Sequence, residues 1–411
     1  MTDLNQCNGS NDQSSHMRYL ILTRGIPGSG KSTFLKQNKL EAYTLSENLI
    51  QLEFEGPLLD MSGKLVISES HQDGVWETLK FHLNNKMKLG ELIFIDSNHI
   101  KKQDLQRYDE LIQHHKYTAF CLDFSDVSLE ICSEQNKNSE NHKIIPEAEL
   151  KKIWSELKKE NVPKNIEIIK PQNLANLLSY EIPDYSSIKK IHHFGDIQGC
   201  LKPLTEYFSR YPIQGDELYI FVGDYCDRGN ENHLVIEYML QNYHRPNFIL
   251  LEGNHEQYLW NWAWGLESKH HEFDISTKPQ LEGAKISKDQ VKKFLESLKN
   301  VALYTYNEKT VLVTHGGMST VTENPILIKS NQFIRGVGAY DNCDIIDTAF
   351  YNNTSSNQFQ IHGHRNIQNY PTQVNPRCFN LEGKIEYGGH LRVVTLYAKQ
   401  GFEIIEIHNP I

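Results

Sequence analysis

Three stretches decide how the chain is read: I-H-H-F-G-D-I-Q-G-C (191–200), L-Y-I-F-V-G-D-Y-C-D-R-G (218–229) and F-I-L-L-E-G-N-H-E (248–256). In each, an apolar β-rich run ends in a Gly that is followed at once by a residue able to ligate a metal: Asp196, Asp224 and Asn254. Helix-like segments fill the gaps. A strand–loop–helix rhythm of this kind brings such tips to one edge of a sheet. Two similar tips follow, His315 in V-L-V-T-H-G-G and the pair His362 and His364 in Q-I-H-G-H-R. Carboxylate, amide and imidazole groups converging at strand ends suit two hard or borderline divalent ions. Two ions sharing one carboxylate can activate water and hold a phosphoryl group.

Working outward, the 411 residues suffice for two or three domains. The hydrophobic fraction, 39%, is that of a somewhat polar globular chain. No apolar run approaches the roughly 20 residues that span a bilayer, so no membrane partner is expected. Residues 1–17 are polar and lack the apolar core of a signal peptide, and read as a disordered tail. Seven Cys without paired spacing point to a reduced, cytoplasmic interior. A net charge of −10 argues against a broadly basic grip on nucleic acid, while leaving room for a local basic groove.

The first half has its own signal. Residues 19–23 read as a buried strand, and Gly25-Ile-Pro-Gly-Ser-Gly-Lys-Ser-Thr33 follows as a G-x-x-x-x-G-K-S phosphate loop opening a helix. Gly25, Gly28, Ser29 and Gly30 let backbone N–H groups wrap a polyphosphate. Lys31 reaches the outer phosphates, and Ser32, with Thr33 beside it, can hold magnesium. ATP with Mg2+ is the cofactor this implies. A second apolar run, Leu92-Ile-Phe-Ile-Asp96, ends in an acid that can hold the metal or the acceptor, or simply cap the next helix. Helices are expected over 101–115 and 145–160, strands over 117–124 and 166–169, and a mobile lid or solvated loop over 133–143. This alternation reads as a parallel-sheet α/β domain over 18–170, followed by a linker over 171–187 whose hinge lies near Pro183 and Ser187.

Residues 18–170 resemble the polynucleotide 5′-kinase domain of end-healing RNA and DNA repair enzymes, through G-I-P-G-S-G-K-S-T, T-L-S-E-N-L-I-Q (44–51) and I-F-I-D-S-N-H (93–99). The resemblance implies an Asp that takes the proton from the 5′-hydroxyl, with an Arg three residues on. Those positions hold Asn48 and Gln51 here, with Glu47 adjacent. An amide is no general base near neutral pH. The lid offers only Lys137 and Lys143, which lack the bidentate fork of Arg. A nucleotide-binding domain with impaired kinase chemistry is therefore expected.

Residues 188–411 resemble the calcineurin-like metallophosphoesterases, an α/β sandwich, through G-D-x-x-G, G-D-x-x-D-R-G, G-N-H-E, T-H-G-G and G-H in the family's order. The resemblance implies that Asp224 bridges two metals and that Asp196 and Gln198 complete the first site. Asn254, His315 and His364 serve the second. It further implies that His255 is the general acid, oriented by Asp227, and that Arg228 holds phosphate oxygens. Gln198 stands where many members have His. Its amide oxygen is a weaker donor for manganese or zinc, so a loosely held first metal and dependence on added Mn2+, with Mg2+ or Ni2+ as substitutes, are expected. The diadenosine-tetraphosphate hydrolases often carry the same G-D-x-Q-G-C string. Glu382 lies where bacterial and phage kinase-phosphatase proteins carry an Asp that orients the metal site. Arg335 is a candidate second phosphate contact or a surface Arg, and His362 a support or a structural residue. His192 and His193 read as strand residues. Trp260, Trp262 and Trp264 read as core, or as base-stacking rings if exposed.

The expectation is thus a two-domain α/β protein that removes 3′ or 2′,3′-cyclic phosphates from RNA or DNA ends, joined to an ATP-binding kinase-like domain. Sealing would fall to a separate RNA ligase. The rival readings are an intact bifunctional kinase-phosphatase, a hydrolase of nucleoside polyphosphates or phosphoproteins, and a non-catalytic sensor of RNA ends.

Overall fold

A computed structural model describes residues 17–410 except 60, 62, 64, 68, 69, 140–142 and 342. The expected tail thus lies, but for Met17, outside the described residues. The chain forms two compact units, one of Arg18–Ser179 with Ile326–Lys329, the other of Tyr180–Pro325 with the residues from Ser330 onward.

The first unit carries strands β1 (Tyr19–Arg24), β2 (Thr44–Ser46), β3 (Leu58–Leu59), β4 (Leu65–Val66), β5 (Ile93–Asp96), β6 (Thr118–Asp123) and β7 (Glu167–Ile169). Five of them form a sheet in the order β2-β5-β1-β6-β7, every pair parallel, while β3 and β4 make a separate hairpin. A parallel sheet is covered on both faces, which is why all six residues of β1 are buried. One face packs Leu20, Leu22, Ile93 and Ile95 against Val75, Leu79, Leu83 and Met87 of the helix Gln72–Leu89. Those four residues recur at every fourth position of the helix and form the stripe that faces the sheet.

Two expectations here are corrected. The helix expected over 101–115 is broken into Lys102–Gln106 and Asp109–His114. At the break Tyr108 is fully buried, its hydroxyl bonded to His99 Nε2 and Arg107 Nη2, each at 3.0 Å. Of the lid expected over 133–143, residues 133–137 belong to the helix Leu129–Lys137, and residues 140–142 lie outside the described residues. Ser128 caps the helix, Cys132 and Asn136 are buried at i, i+4 spacing, and Asn136 is tied both ways to the backbone of Ile145.

The second unit carries β8 (Lys190–Phe194), β9 (Glu217–Phe221), β10 (Phe248–Leu250), β11 (Ala302–Tyr306), β12 (Lys309–Val313), β13 (Gln358–His362), β14 (Gln373–Asn375), β15 (Cys378–Asn380), β16 (His390–Tyr397) and β17 (Gly401–His408). They form two five-stranded sheets, β10-β9-β8-β16-β17 and β11-β12-β13-β15-β14. Alternation along β9 assigns its faces. Leu218, Ile220 and Val222 join Val311, Val313, Ile361 and Phe379 in the core between the sheets. Tyr219 and Phe221 join Leu204, Val235, Leu259 and Phe294 in the core beneath the helices. The result is an α/β sandwich in which the inner strands are buried on both faces. Trp260 and Trp262 belong to the helix-side core and Trp264 packs against it, so their structural role is packing.

His192 and His193 are buried strand residues. His193 bonds the Val394 carbonyl through Nδ1 (2.8 Å) and the Tyr304 hydroxyl through Nε2 (2.7 Å). Burial lowers its pKa from 6.5 to about 3. Below pH 6.5 the unfolded chain takes a proton that the folded chain refuses until about pH 3, so the stability this residue lends is lost as pH falls through that window. The His193 imidazole should show neutral NMR shifts from pH 8 to 5. Its linkage should cost the fold about 2 kcal/mol between pH 6.5 and 5; a resonance titrating near 6.5 contradicts the assignment.

Candidate metal centre

Six loops build the site, each leaving the C-terminal end of a strand: β8 presents Asp196 and Gln198, β9 Asp224, β10 Asn254, β12 His315, β13 His364 and β15 Glu382. The first three loops come from one sheet and the others from the second, so the tips that follow the first three stand on a different sheet. Asp224 lies at the centre. Its Oδ1 accepts from the His255 backbone N–H (3.1 Å) and lies 3.3 Å from His315 Nε2, and its Oδ2 accepts from Gln198 Nε2 (3.0 Å). Ligand atoms of Asp224, His315 and His364 all lie within 4.8 Å of one another, and Asn254 Oδ1 is 3.1 Å from His315 Nε2. Asp196 accepts from the His364 backbone N–H at 3.0 Å and contacts the Glu382 carboxyl. All six metal-ligand candidates are therefore brought together.

The backbone makes room by glycine. A Cβ on Gly253 would lie 2.2 Å from Asp224 Oδ1, and one on Gly363 would lie 1.9 Å from Asp196 Oδ1. Gln198, Asp224, Asp227, Arg228 and His364 all hold φ between 46° and 81°. Non-glycine residues reach that region only when their surroundings force them, and such residues cluster at functional sites. One constraint is Glu256, which the sequence reading left without a role. Its fully buried carboxylate accepts from the backbone N–H groups of Asp224 (2.9 Å), Tyr225 (3.0 Å) and Gly253 (2.7 Å), fastening the β9 loop to the β10 loop.

The electrostatics suit bound cations. Burial and the neighbouring Glu382 push the Asp196 pKa well up. Burial and Asp224 likewise push Glu256 to about 7. Burial would also raise Asp224, but the imidazoles of His315, His255 and His364 outweigh it and hold that carboxyl far below its usual range. Packing this many acids away from water is costly unless positive charge joins them. Gln198 Oε1 is buried without a hydrogen-bond partner, as an oxygen awaiting a cation would be. The donor set fits one ion among Asp196, Gln198 and Asp224 and a second among Asp224, Asn254, His315 and His364, with Glu382 bracing Asp196.

His255 and Asp227 lie beside this cluster. His255 Nδ1 is 2.6 Å from Asp227 Oδ2, and its Nε2 is 3.8 Å from Asp224 Oδ2. Burial opposes the charged imidazole, yet Asp224 and Asp227 raise its pKa to about 9. Arg228 stands at the rim, ion-paired to Glu386 (3.1 Å) and Glu272 (3.4 Å), two partners the sequence did not reveal. His362 is no ligand: Nε2 lies 3.2 Å from the buried Asp347, behind the site. Arg335 is exposed, its charge acting on His364.

Asp96 and the phosphate loop form a separate group in the first unit. Ser32 Oγ donates to Asp96 Oδ2 (2.7 Å), the pairing that holds magnesium in phosphate-loop enzymes. Lys31 donates to the Gly25 and Ile26 carbonyls and to Asn98 Oδ1, and burial lowers its pKa to about 8. Gly28 has φ 79°, and a Cβ there would lie 2.2 Å from the Cys132 carbonyl oxygen. Gly25 and Gly30 also have positive φ, Ser29 Oγ is buried without a partner, and Thr33 is exposed on the first helical turn. These features fit a polyphosphate. Glu47 opens the helix Glu47–Phe54, with its carboxylate on the Ser97 hydroxyl and 3.3 Å from Arg107 Nη2. Asn48 is exposed. Glu47, one residue before the position to which the resemblance assigns an acid, thus meets Ser97, the residue after Asp96.

Two family models match the chain: the calcineurin-like phosphoesterases over residues 189–391 and an AAA domain over residues 20–159. It is 29% identical over 156 residues to rat serine/threonine-protein phosphatase with EF-hands 1, covering 36% of this chain and 23% of that protein. It is 26% identical over 141 residues to an asymmetrical bis(5′-nucleosyl)-tetraphosphatase of Oceanobacillus iheyensis, covering 31% of this chain and 56% of that one. The chain thus spans under a quarter of the first relative's length and just over half of the second's. A solved protein serine/threonine phosphatase from Saccharomyces cerevisiae superposes with a TM-score of 0.39 at 17% identity, covering 54% of this chain and 80% of that one. Among the described residues, no helix is long and apolar enough to cross a membrane.

Replacing Glu256 with Gln turns an NH2 group against three backbone donors. The variant should lose about 2–3 kcal/mol of stability and bind manganese about 10–100-fold more weakly, measured by thermal unfolding and metal titration. Unchanged metal affinity contradicts the role given to Glu256.

Proposed function

Because a calcineurin-like metallophosphoesterase domain here follows a phosphate-loop domain, we propose that the protein is a metal-dependent hydrolase of phosphate esters at nucleic-acid ends, coupled to an ATP-binding domain. The observation that carries this reading is the convergence of Asp196, Gln198, Asp224, Asn254, His315 and His364 on one point, with the His255–Asp227 pair at its side. Two divalent ions, when bound, supply an activated water and neutralise phosphate charge. The residues do the rest. Asp224 presents one oxygen to each half of the donor set. Asp227 takes the Nδ1 proton of His255 in a hydrogen bond and so leaves Nε2 to face the ester. With its pKa raised to about 9, His255 carries its proton at neutral pH and can give it to the leaving oxygen. Arg228 can exchange Glu386 and Glu272 for phosphate oxygens.

A terminal 3′-phosphate or 2′,3′-cyclic phosphate is the substrate class in this reading, and Mn2+ the metal. The neighbouring domain supports it: a loop shaped for polyphosphate with an acid beside it suits a partner reaction on the same ends. In that domain any phosphoryl transfer to a 5′-hydroxyl would run through Glu47, which has the carboxylate that Asn48 lacks. A second reading, hydrolysis of dinucleoside polyphosphates, is favoured by the tetraphosphatase relative and by the G-D-I-Q-G-C string.

Three outcomes are expected. In a panel with Mn2+, 3′-phosphate or cyclic-phosphate oligonucleotides should be hydrolysed faster than diadenosine tetraphosphate or a phosphopeptide; preference for the tetraphosphate selects the second reading. Asp224→Asn should lower turnover of the best substrate by at least about 100-fold. Label transfer from γ-labelled ATP to a 5′-hydroxyl oligonucleotide should be lost in Glu47→Gln and unchanged in Asn48→Ala; the reverse would contradict the role given to Glu47.

A further inference from the structure

The carboxylate beside His255 has a second side-chain partner, from the segment that links two helices. Between the helices Glu256–Ala263 and Lys288–Ser297 the chain makes a π-helix, Phe273–Thr277, that runs into the short helix Lys278–Gly283. A π-helix is rare, and its single turns are frequent at functional sites. Phe273 anchors this one in the helix-side core, fully buried. At the other end Thr277 is fully buried too, and its hydroxyl donates to Asp227 Oδ1. The opposite oxygen of the same carboxylate is 2.6 Å from His255 Nδ1. Asp227 therefore has one oxygen for the imidazole and one for the threonine.

Two more contacts dock this segment on the same loop. Glu272, just before the π-helix, pairs with Arg228. Gln280 accepts from the Asn232 backbone N–H (2.9 Å), while the Asn232 side chain accepts from the Asp227 N–H (2.8 Å). The segment thus grips the β9 loop on either side of the carboxylate that meets the imidazole.

We propose that Thr277 is a positioning residue for the general acid: by holding the second oxygen of Asp227 it fixes the plane of that carboxylate, and through it the direction of His255 Nε2. A carboxylate bonded at one oxygen can pivot about its side chain; bonded at both it cannot. The aim of Nε2 matters only when a proton must reach the leaving oxygen, so the effect depends on how much the leaving group needs that proton. The inference rests on the reading of His255 as the acid.

The test compares kcat of the full-length protein, with Mn2+, on phenyl phosphate, a poor leaving group, and 2,4-dinitrophenyl phosphate, which leaves without a proton. His255→Ala serves as the reference and should lose about 100-fold or more on the first ester and little on the second. Thr277→Val, of nearly the same shape, should show the same asymmetry with about a tenfold loss on the poor leaving group, and Thr277→Ser should restore the wild-type ratio. If His255→Ala shows the asymmetry and Thr277→Val does not, losing equally on both esters or on neither, the positioning role is overturned and the acid stands. If His255→Ala is itself indifferent to the leaving group, the reading of the acid fails and the inference with it.

Discussion

A single buried carboxylate holds the phosphoesterase site in shape. Glu256 receives the N–H groups of Asp224, Tyr225 and Gly253, so the two loops that carry Asp224 and Asn254 are one piece of structure. Those N–H groups sit where the chain has left the ladder of β9 and β10, and buried without a partner each would be costly. With them satisfied, Asp224 can keep φ 52° and face its oxygens outward to His315 on one side and Gln198 on the other. The strain, the glycines at 253 and 363 and the crowd of acids are all consequences of bringing donors this close. None makes sense for a fold that binds nothing there.

Much of this was legible from residue order alone. An apolar run, a Gly and a ligand, three times repeated, is local information, and it located the strand tips of the first sheet, while the apolar runs before His315 and His364 located two tips of the second. The parallel sheet of the first unit was legible for the same reason. What escaped were pairings across long separations. Thr277 meets Asp227 from 50 residues away and Glu386 meets Arg228 from 158, and neither partner carries a local mark. Glu256 was in plain view within G-N-H-E, yet nothing in its neighbours says that it turns inward to three N–H groups. The break at Arg107 and Tyr108 and the helix in place of a lid over 133–137 share a cause: a few buried side chains, Tyr108, Cys132 and Asn136, override the polar character of the segments around them.

The first unit repeats the logic with different chemistry. There the tip of β5 provides Asp96, the phosphate loop provides Ser32 and Lys31, and the helix after β2 brings Glu47 alongside. Asn48 is exposed, while the adjacent Glu47 is held by Ser97 and Arg107. A shift of one residue at a helix start changes which side chain meets Ser97 and Arg107, and residue spacing alone does not fix that start.

The central claim is that Asp224 is shared between two cations. Electron paramagnetic resonance of the Mn2+-loaded protein tests it most directly, because ions bridged by a carboxylate lie about 3.5–4 Å apart and couple magnetically. The account predicts two manganese ions per chain with an exchange-coupled spectrum that collapses in Asp224→Asn. A six-line spectrum of a single isolated ion in the wild-type protein, or a coupled spectrum that survives the substitution, would contradict it.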